Sequence, residues 1–265
     1  MDRKTFSIIQ QTPERLDKIL AKKYPQYTRG EIIRMIKTGA ITVNDITVKP
    51  HYIPQKGDKI TITPPQQEKI CPQTRKKLDI IAENADFMVI NKPCGMQVHP
   101  SHAKETDTLV HVLVAHNPHI RDVGEDPQRP GIVHRLDKDT TGVMVIAKNN
   151  HTFNALKRQF ADHTVQKTYY ALVFGRFDNK IGVIDAPIAR AMSYKKQKIA
   201  QGKYRGVSRD ARTDYRVIEE YTIGEHILSL VEVHTHTGRT HQIRVHMKHI
   251  GHPLFGDVRY YTKPH

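Results

Sequence analysis

The sequence predicts an α+β protein of two domains, a small helical and β-ribbon domain over residues 14–63 and a larger one over residues 78–265. In the first part, apolar residues at helical spacing are followed by short β-branched runs, and the second part continues with further strands and amphipathic helices. A polar, proline-bearing stretch without periodicity, residues 64–77, separates them and predicts a linker.

Charge and composition narrow the class of function. The net charge is +15 and the sequence pI about 9.7, an excess that attracts polyanions such as nucleic acid and is atypical of an enzyme for small neutral metabolites. Cys71 and Cys94 provide neither a disulfide framework nor metal-ligand spacing, which favours a reducing compartment. The N-terminus is polar and no apolar run approaches membrane-spanning length, so a cytoplasmic protein without membrane partners is expected.

The first domain is predicted to begin with two helices. Leu16, Ile19 and Leu20 share a face of the first, residues 28–31 match a capping box that opens the second, and Gly39 is placed to stop it. Short strands are then predicted at 41–43, 46–48 and 59–62.

Basic side chains on both helices predict an RNA-binding face. Residues 1–75 hold 14 Lys/Arg against 7 Asp/Glu, a net of +7. The candidate RNA-binding residues are Arg15, Lys18, Arg29, Arg34 and Lys37. This segment resembles the S4 RNA-binding domain, and the motifs that carry the resemblance are residues 15–20, 28–29, 36–44 and 56–58.

In the larger domain, short apolar runs and helical periodicity alternate irregularly. Strands are predicted at 78–82, 87–90, 166–175, 213–218 and 227–233. One helix is predicted to begin near Thr106 or Asp107, and another to be capped by Asn150, with a loop over 117–130. Residues 190–216 hold 9 Lys/Arg against 2 Asp/Glu and predict an exposed basic loop that contacts phosphates.

The stretch 130–148 is the centre of the chain. Ile132 and Val133 predict one strand, Val143 to Ala147 predict a second, and the polar residues between them are typical of a tight turn. Burial of both strands would hold Asp137 rigidly at the mouth of the core, which suits a catalytic carboxylate. Equally, Asp137 could cap the turn or pair with Arg135, and the segment alone leaves both interpretations open.

Two metal-based hypotheses compete for these motifs. Asp137 and Asp139 fit the D-x-D-x-T pattern of aspartyl phosphatases that bind Mg²⁺, but His134 and Arg135 stand where that family has an apolar strand. The later acidic cluster that this family needs for its metal is also missing around residues 256–259.

A zinc site is conceivable because six histidines are concentrated near the end of the chain: His234, His236, His241, His246, His249 and His252. No carboxylate or cysteine lies at the usual ligand spacing, and Arg239 and Arg244 would repel a cation. Polar surface and phosphate contacts account for these histidines more simply, and no metal is expected.

Residues 134–142 closely resemble the catalytic motif of RluA/RluD-type pseudouridine synthases. Further motifs of that family follow in order, at 91–93 with 98–100, 167–169, 237–246, and 251–254 with 256–257. The resemblance implies an S4-like domain followed by a mixed, largely antiparallel catalytic domain. The chain ends at His265, before a further helix and strand that family members usually carry, and this is expected to affect stability and full activity.

The resemblance also implies a role for each matching residue. Asp137 would be the nucleophile or base that starts cleavage of the uridine glycosidic bond, and Arg244 would pair with it and favour its charged form. Tyr169 would stack on the target base and move a proton, Arg135 would fill the gap left by the flipped uridine, and Ile243 would line the pocket.

The implied reaction exchanges an N1 link for a C5 link without redox change, so no cofactor is expected, and the chain carries no P-loop or dinucleotide fingerprint. Large-subunit ribosomal RNA is the expected partner, with transfer RNA as the alternative, and a monomer is expected. An inactive RNA-binding protein of the same fold is the competing hypothesis.

Overall fold

The computed structural model describes residues 4–10, 13–63, 70–72, 76–100, 105–193 and 196–261. The chain divides into two compact units, Met1–Glu68 and Lys69–His265, which are described separately. Most of the predicted linker, residues 64–77, lies outside the described residues. Within the described ranges no helix is long and apolar enough to cross a membrane.

The first unit combines two helices with a three-stranded antiparallel sheet of order β1-β3-β2. Its elements are β1 (Lys4–Ser7), α1 (Leu16–Lys23), α2 (Arg29–Lys37), β2 (Ile41–Val43) and β3 (Lys59–Ile62). Both predicted helices are confirmed. Thr28 and Glu31 form the predicted capping box, and Gly39 follows α2 with a φ of +75°. Leu16, Leu20 and Ile36 are fully buried in the core between helices and sheet.

The strand predicted at 46–48 is wrong. Asn44 and Asp45 both adopt left-handed conformations, with φ of 50° and 64°, and turn the chain so tightly that Ile46 makes a single bridge to Val43. The chain leaves the sheet immediately afterwards, because β3 pairs with β2 at Ile41–Val43 instead.

The second unit contains three antiparallel sheets, so the predicted fold class is confirmed. Their strand orders are β4-β5-β6, β7-β13-β12-β8 and β10-β9-β11. The strands are β4 (Ile80–Glu83), β5 (Phe87–Lys92), β6 (Gly142–Ala147), β7 (Thr168–Phe174), β8 (Ile181–Asp185), β9 (Ile188–Arg190), β10 (Gln197–Ile199), β11 (Arg205–Arg209), β12 (Arg212–Ile223) and β13 (His226–Thr235). The helices are α3 (Leu109–His116), α4 (Asn150–Ala161) and α5 (Gln242–His249), with a 3₁₀ turn at Pro118–Asp122.

Two apolar cores organise this unit. One packs α3 against the β4-β5-β6 sheet, and the other packs α5 and the C-terminal segment against the β7-β13-β12-β8 sheet. Tyr169, on β7, contacts both cores. The loop that carries Asp137 emerges where the first core ends, because Leu136 is buried in it.

Only one of the two strands predicted around Asp137 is present. Val143 to Ala147 forms most of β6, but before the loop only Ile132 makes a bridge, to Ile146. The Nε2 atom of His134 accepts a hydrogen bond from the backbone N–H of Val145 at 3.1 Å. The imidazole of His134 thus accepts the hydrogen bond from Val145 that a backbone carbonyl of a continuing strand would otherwise accept.

The exposed basic loop predicted at 190–216 is also wrong. Most of it forms the small sheet β10-β9-β11 and the start of β12. Its strands are short and polar, and bury little beyond Ile188, Ala189 and Ile199, so they carry no alternating apolar pattern.

Elsewhere the predicted boundaries shift slightly: α3 begins after Thr108, and the cap of α4 is Asn149, whose side chain accepts from the N–H of Thr152.

Candidate active site

Asp137 lies in a short turn that its own backbone closes. The N–H of Thr140 donates to the carbonyl of Asp137 at 3.2 Å, and the preceding Leu136 anchors the turn in the apolar core. The Asp137 side chain is 22% exposed, so the carboxylate faces a partly desolvated space.

A buried lysine fixes this turn from behind. The Nζ of Lys92, which is fully buried, donates to the carbonyls of Pro93, Met96 and Lys138 at 2.9, 2.8 and 3.0 Å. Burial lowers the pKa of Lys92. Because Lys138 follows Asp137 directly, these hydrogen bonds join the end of β5 to the loop of the carboxylate.

Arg244, in the first turn of α5, places a cation beside Asp137. Its Nη1 lies 3.4 Å from Asp137 Oδ2, while its Nε and Nη2 donate to Asp257 at 2.6 and 2.9 Å. Burial opposes ionisation of both partners of the tighter pair. Even so, hydrogen bonding with Asp257 raises the pKa of Arg244, and Arg244 lowers that of Asp257. One guanidinium therefore serves two carboxylates.

His241 is a second neighbour of Asp137, with Nε2 3.8 Å from Oδ2. The Tyr260 hydroxyl accepts from the N–H of Gln197 at 2.8 Å and lies 2.7 Å from His241 Nδ1, to which it can donate its own proton. Burial lowers the pKa of His241, against the effect of Asp137. We therefore assign a neutral ring with its proton on Nε2, directed toward the carboxylate.

Sequence reasoning missed the roles of His241, Asp257 and Tyr260 around Asp137. His241 precedes α5 in a left-handed conformation, with φ of +58°, which is uncommon for a residue other than glycine. The dense polar run at 237–246 was the available signal, but it did not show that His241 lies beside Asp137 together with Arg244.

The five residues predicted for the catalytic domain line one cavity of about 180 Å³: Arg135, Asp137, Tyr169, Ile243 and Arg244. Burial, and then the charge of Asp137, raises the pKa of Tyr169, so its phenol is neutral at pH 7. Arg135 is exposed at the rim, where its Nη1 donates to His99 Nε2 at 3.3 Å. The cavity thus offers a carboxylate beside a cation, with an aromatic and an aliphatic wall.

Comparison with known proteins identifies the family to which the chain belongs. The RNA pseudouridylate synthase family model matches residues 86–249, and the S4 domain model matches residues 14–60. The chain belongs to the RNA pseudouridylate synthase family. As an RNA pseudouridine synthase it is an isomerase, and the resemblance to the RluA/RluD type with an N-terminal S4 domain is confirmed.

Relatives of this synthase include several bacterial proteins. The chain is 40% identical over 252 residues to the uncharacterized RNA pseudouridine synthase YlyB of Bacillus subtilis, covering 95% of this chain and 80% of that protein. It is 38% identical over 253 residues to the ribosomal large subunit pseudouridine synthase D of Pseudomonas aeruginosa, covering 93% and 73%. Among solved structures, human RNA pseudouridylate synthase domain containing 1 matches with a TM-score of 0.60 and 27% identity, covering 72% and 73%.

In the S4 domain of the synthase, the predicted RNA-binding residues fall into two groups. Arg15 and Arg29 both pair with the fully buried Asp17, at 3.0 and 2.7 Å, and their side chains remain about half exposed. Burial opposes the ionisation of Asp17, but these two arginines lower its pKa. Lys18, Arg34 and Lys37 are exposed on the helices.

The residues behind the two metal hypotheses have other partners in the synthase. His234 Nε2 lies 3.1 Å from Glu232 and His236 Nε2 lies 2.7 Å from Asp214, so neighbouring histidines face different carboxylates. In the part of the chain that the structure describes, no three His, Cys, Asp or Glu side chains converge as metal ligands. Beside Asp137, the position of a cation is taken by Arg244.

Proposed function

We propose that this synthase converts uridines of large-subunit ribosomal RNA to pseudouridine, with Asp137 as the catalytic carboxylate. The observation that carries the proposal is the contact of Asp137 with Arg244 inside a cavity that Tyr169 and Ile243 also line. A carboxylate held beside a guanidinium in such a cavity can act as a nucleophile or as a base.

The reaction breaks the N1–C1′ bond of uridine and forms a C5–C1′ bond, while the proton on C5 is lost and one is gained at N1. Asp137 starts the cleavage. Tyr169 stacks on the detached uracil, and its neutral hydroxyl moves a proton in the later step. Ile243 packs against the detached uracil and limits its motion to the rotation that brings C5 to C1′.

The target base has to leave its stack, because a cavity of about 180 Å³ is far too small for an RNA helix. Arg135 stands at the rim of this cavity and fills the space that the flipped uridine vacates. His99 supports this position, since its Nδ1 lies 3.2 Å from the Pro100 carbonyl and its Nε2 therefore accepts from Arg135.

The S4 domain adds affinity for the RNA backbone. Lys18, Arg34 and Lys37 contact phosphates directly, and the half-exposed guanidinium groups of Arg15 and Arg29, oriented by Asp17, add two more. The organisation that follows is an RNA-binding domain at 14–63, a linker at 64–77 and a catalytic domain at 78–265.

Ribosomal RNA is the proposed substrate because relatives in Pseudomonas aeruginosa and Neisseria meningitidis are named ribosomal large subunit pseudouridine synthase D. Transfer RNA is the alternative substrate. We further propose that the enzyme acts as a monomer in the cytoplasm.

The test is to map pseudouridine in cellular ribosomal and transfer RNA from cells with and without the gene. Specific sites in large-subunit RNA should disappear in the deletion strain, return with the wild-type gene and stay absent with Asp137→Asn. Loss of sites only in transfer RNA would change the substrate. If no site changes, the chain is an RNA-binding protein without this activity.

A further inference from the structure

A second cavity, of about 680 Å³, lies on the small sheet β10-β9-β11 beside the active site. Gly238, Arg239 and Thr240 line both this cavity and the one that contains Asp137. Its volume is within the range of about 300–1,000 Å³ that is typical of ligand sites. Residues 238–240 therefore form a common wall between the catalytic cavity and a larger one.

The lining of this second cavity is strongly basic. No carboxylate occurs among the described residues that line it. Four arginines contribute to the lining: Arg190, Arg205, Arg209 and Arg239. The Nε of Arg239 donates to the carbonyl of Asp210 at 2.9 Å, which orients this guanidinium in the common wall. A concave surface with one sign of charge concentrates the field and attracts anions.

Strand register adds an independent argument. Arg190 on β9 is directly opposite Arg205 on β11, so two like charges face each other across antiparallel strands. Such pairs destabilise a sheet. On the other edge of β9, the partner of Arg190 is the neutral Gln197, so the strand register on neither side places a carboxylate opposite it. The register therefore presents two guanidinium groups side by side to a single anion.

We infer that this arginine-lined cavity binds backbone phosphates of the substrate RNA next to the flipped uridine. The inference rests on the proposed function, because the shared wall at 238–240 connects the phosphate site to the cavity that receives the base. Arginine suits this task, since its planar guanidinium binds two phosphate oxygens at once.

The decisive variant is Arg190→Glu in the full-length protein. The new carboxylate would face Arg205 across the strands, where it can pair with that guanidinium, and it would repel phosphate. We expect the melting temperature without RNA to stay level or rise. Affinity for a fluorescein-labelled decamer of oligouridylate should fall several-fold, and the slope of log K against log salt should drop by about 0.7 for each phosphate that the variant no longer neutralises.

Arg158→Glu is the matched control, because it makes the same change of charge on the exposed face of α4, away from the cavity. It should leave both the salt slope and the affinity near the wild-type values. An equal fall of affinity in both variants would overturn the inference, since net charge alone would then explain it. A lower melting temperature in Arg190→Glu would also overturn it, since Arg190 would then be a structural residue.

Two further arms separate the sources of phosphate and the two proposals. If inorganic phosphate displaces the decamer from the wild type as strongly as unlabelled decamer does at equal ionic strength, the cavity binds free anions and the inference fails. Asp137→Asn should keep the wild-type salt slope while it loses pseudouridine formation. If Asp137→Asn stays active, the catalytic assignment fails, whereas an unchanged salt slope in Arg190→Glu refutes only the phosphate site.

Discussion

Replacing Arg244 with methionine should damage both the fold and the chemistry, because its guanidinium contacts two carboxylates. Asp137 would lose its cation, and Asp257 would lose two hydrogen bonds of 2.6 and 2.9 Å. The Asp257 side chain is only 5% exposed, so solvent cannot replace these bonds. The backbone N–H groups of Arg259 and Tyr260 would remain as its hydrogen-bond donors.

The expected loss of stability follows from that burial. Removing one partner of a buried ion pair costs about 3–5 kcal/mol, because the other charge is left uncompensated. In a domain of this size each kcal/mol lowers the melting temperature by about 2–4 °C, which gives a fall of roughly 6–20 °C for Arg244→Met. Calorimetry or circular dichroism measures this fall, and pseudouridine formation at a temperature where the variant is folded measures the chemistry.

A double variant separates the two effects. Asp257→Asn removes the carboxylate charge that Arg244→Met leaves unpaired. The double variant Arg244→Met with Asp257→Asn should therefore recover a large part of the stability that Arg244→Met loses. It should not recover turnover, since Asp137 still lacks its cation. If Arg244→Met melts within about 1 °C of the wild type, the ion pair with Asp257 does not stabilise the fold as argued. If the double variant regains turnover, the contact between Arg244 and Asp137 has no catalytic role.

Four further outcomes are expected. Asp137→Asn should abolish pseudouridine formation and leave RNA affinity within a few-fold of wild type in a binding titration. Deletion of residues 1–63 should weaken RNA affinity and flatten its salt dependence, while turnover on a saturating short substrate persists. Tyr260→Phe removes the hydroxyl that sets the His241 tautomer, so kcat should fall with KM nearly unchanged. The same change leaves the N–H of Gln197 without its acceptor, which should cost about 1–3 kcal/mol of stability. Because folding lowers the pKa of Asp257, this carboxylate stabilises the protein fully at a pH above its ordinary pKa of 3.8, and the stabilisation is lost as the pH falls through its pKa in the folded protein. Asp257→Asn should therefore make the melting temperature depend less on pH in the acid range.

The sequence predicted the elements whose burial produces a clear period. The helices α1, α2 and α4 and the long strands of the central sheets carry apolar residues at spacings of 3.6 or 2, because one face of each is buried, whereas residues 109–114 of α3 are all buried. The strands β9, β10 and β11 bury too little to produce such a pattern, so their basic composition alone predicted a loop. Helix α5 was missed because its sequence, rich in histidine and basic residues, hides the few positions that face the core.

Periodicity shows which face of an element is buried but not which elements meet. Asp137 and Arg244 are 107 residues apart, and their pairing was predicted only from the family resemblance. The contact of His241 with Tyr260, 19 residues later, depends on a left-handed residue at the start of α5 that propensity does not favour. The sequence did not predict the pairing of Arg244 with Asp257 either, because the two residues belong to separate motifs and nothing in those motifs shows that they meet.

The environment of Asp137 comes from three separate segments, and this division has a consequence for the enzyme. Lys92 holds the loop from one core, while Arg244 and His241 approach from α5, and Asp257 and Tyr260 fix those two side chains from the C-terminal segment. Charges and donors held in this way need no reorganisation when the glycosidic bond begins to break, which is the condition for electrostatic catalysis. Substitutions among these supports should therefore lower kcat, whereas those in the arginine-lined cavity should act on RNA affinity. The two proposals thus assign chemistry and RNA binding to two cavities that share residues 238–240 as a wall.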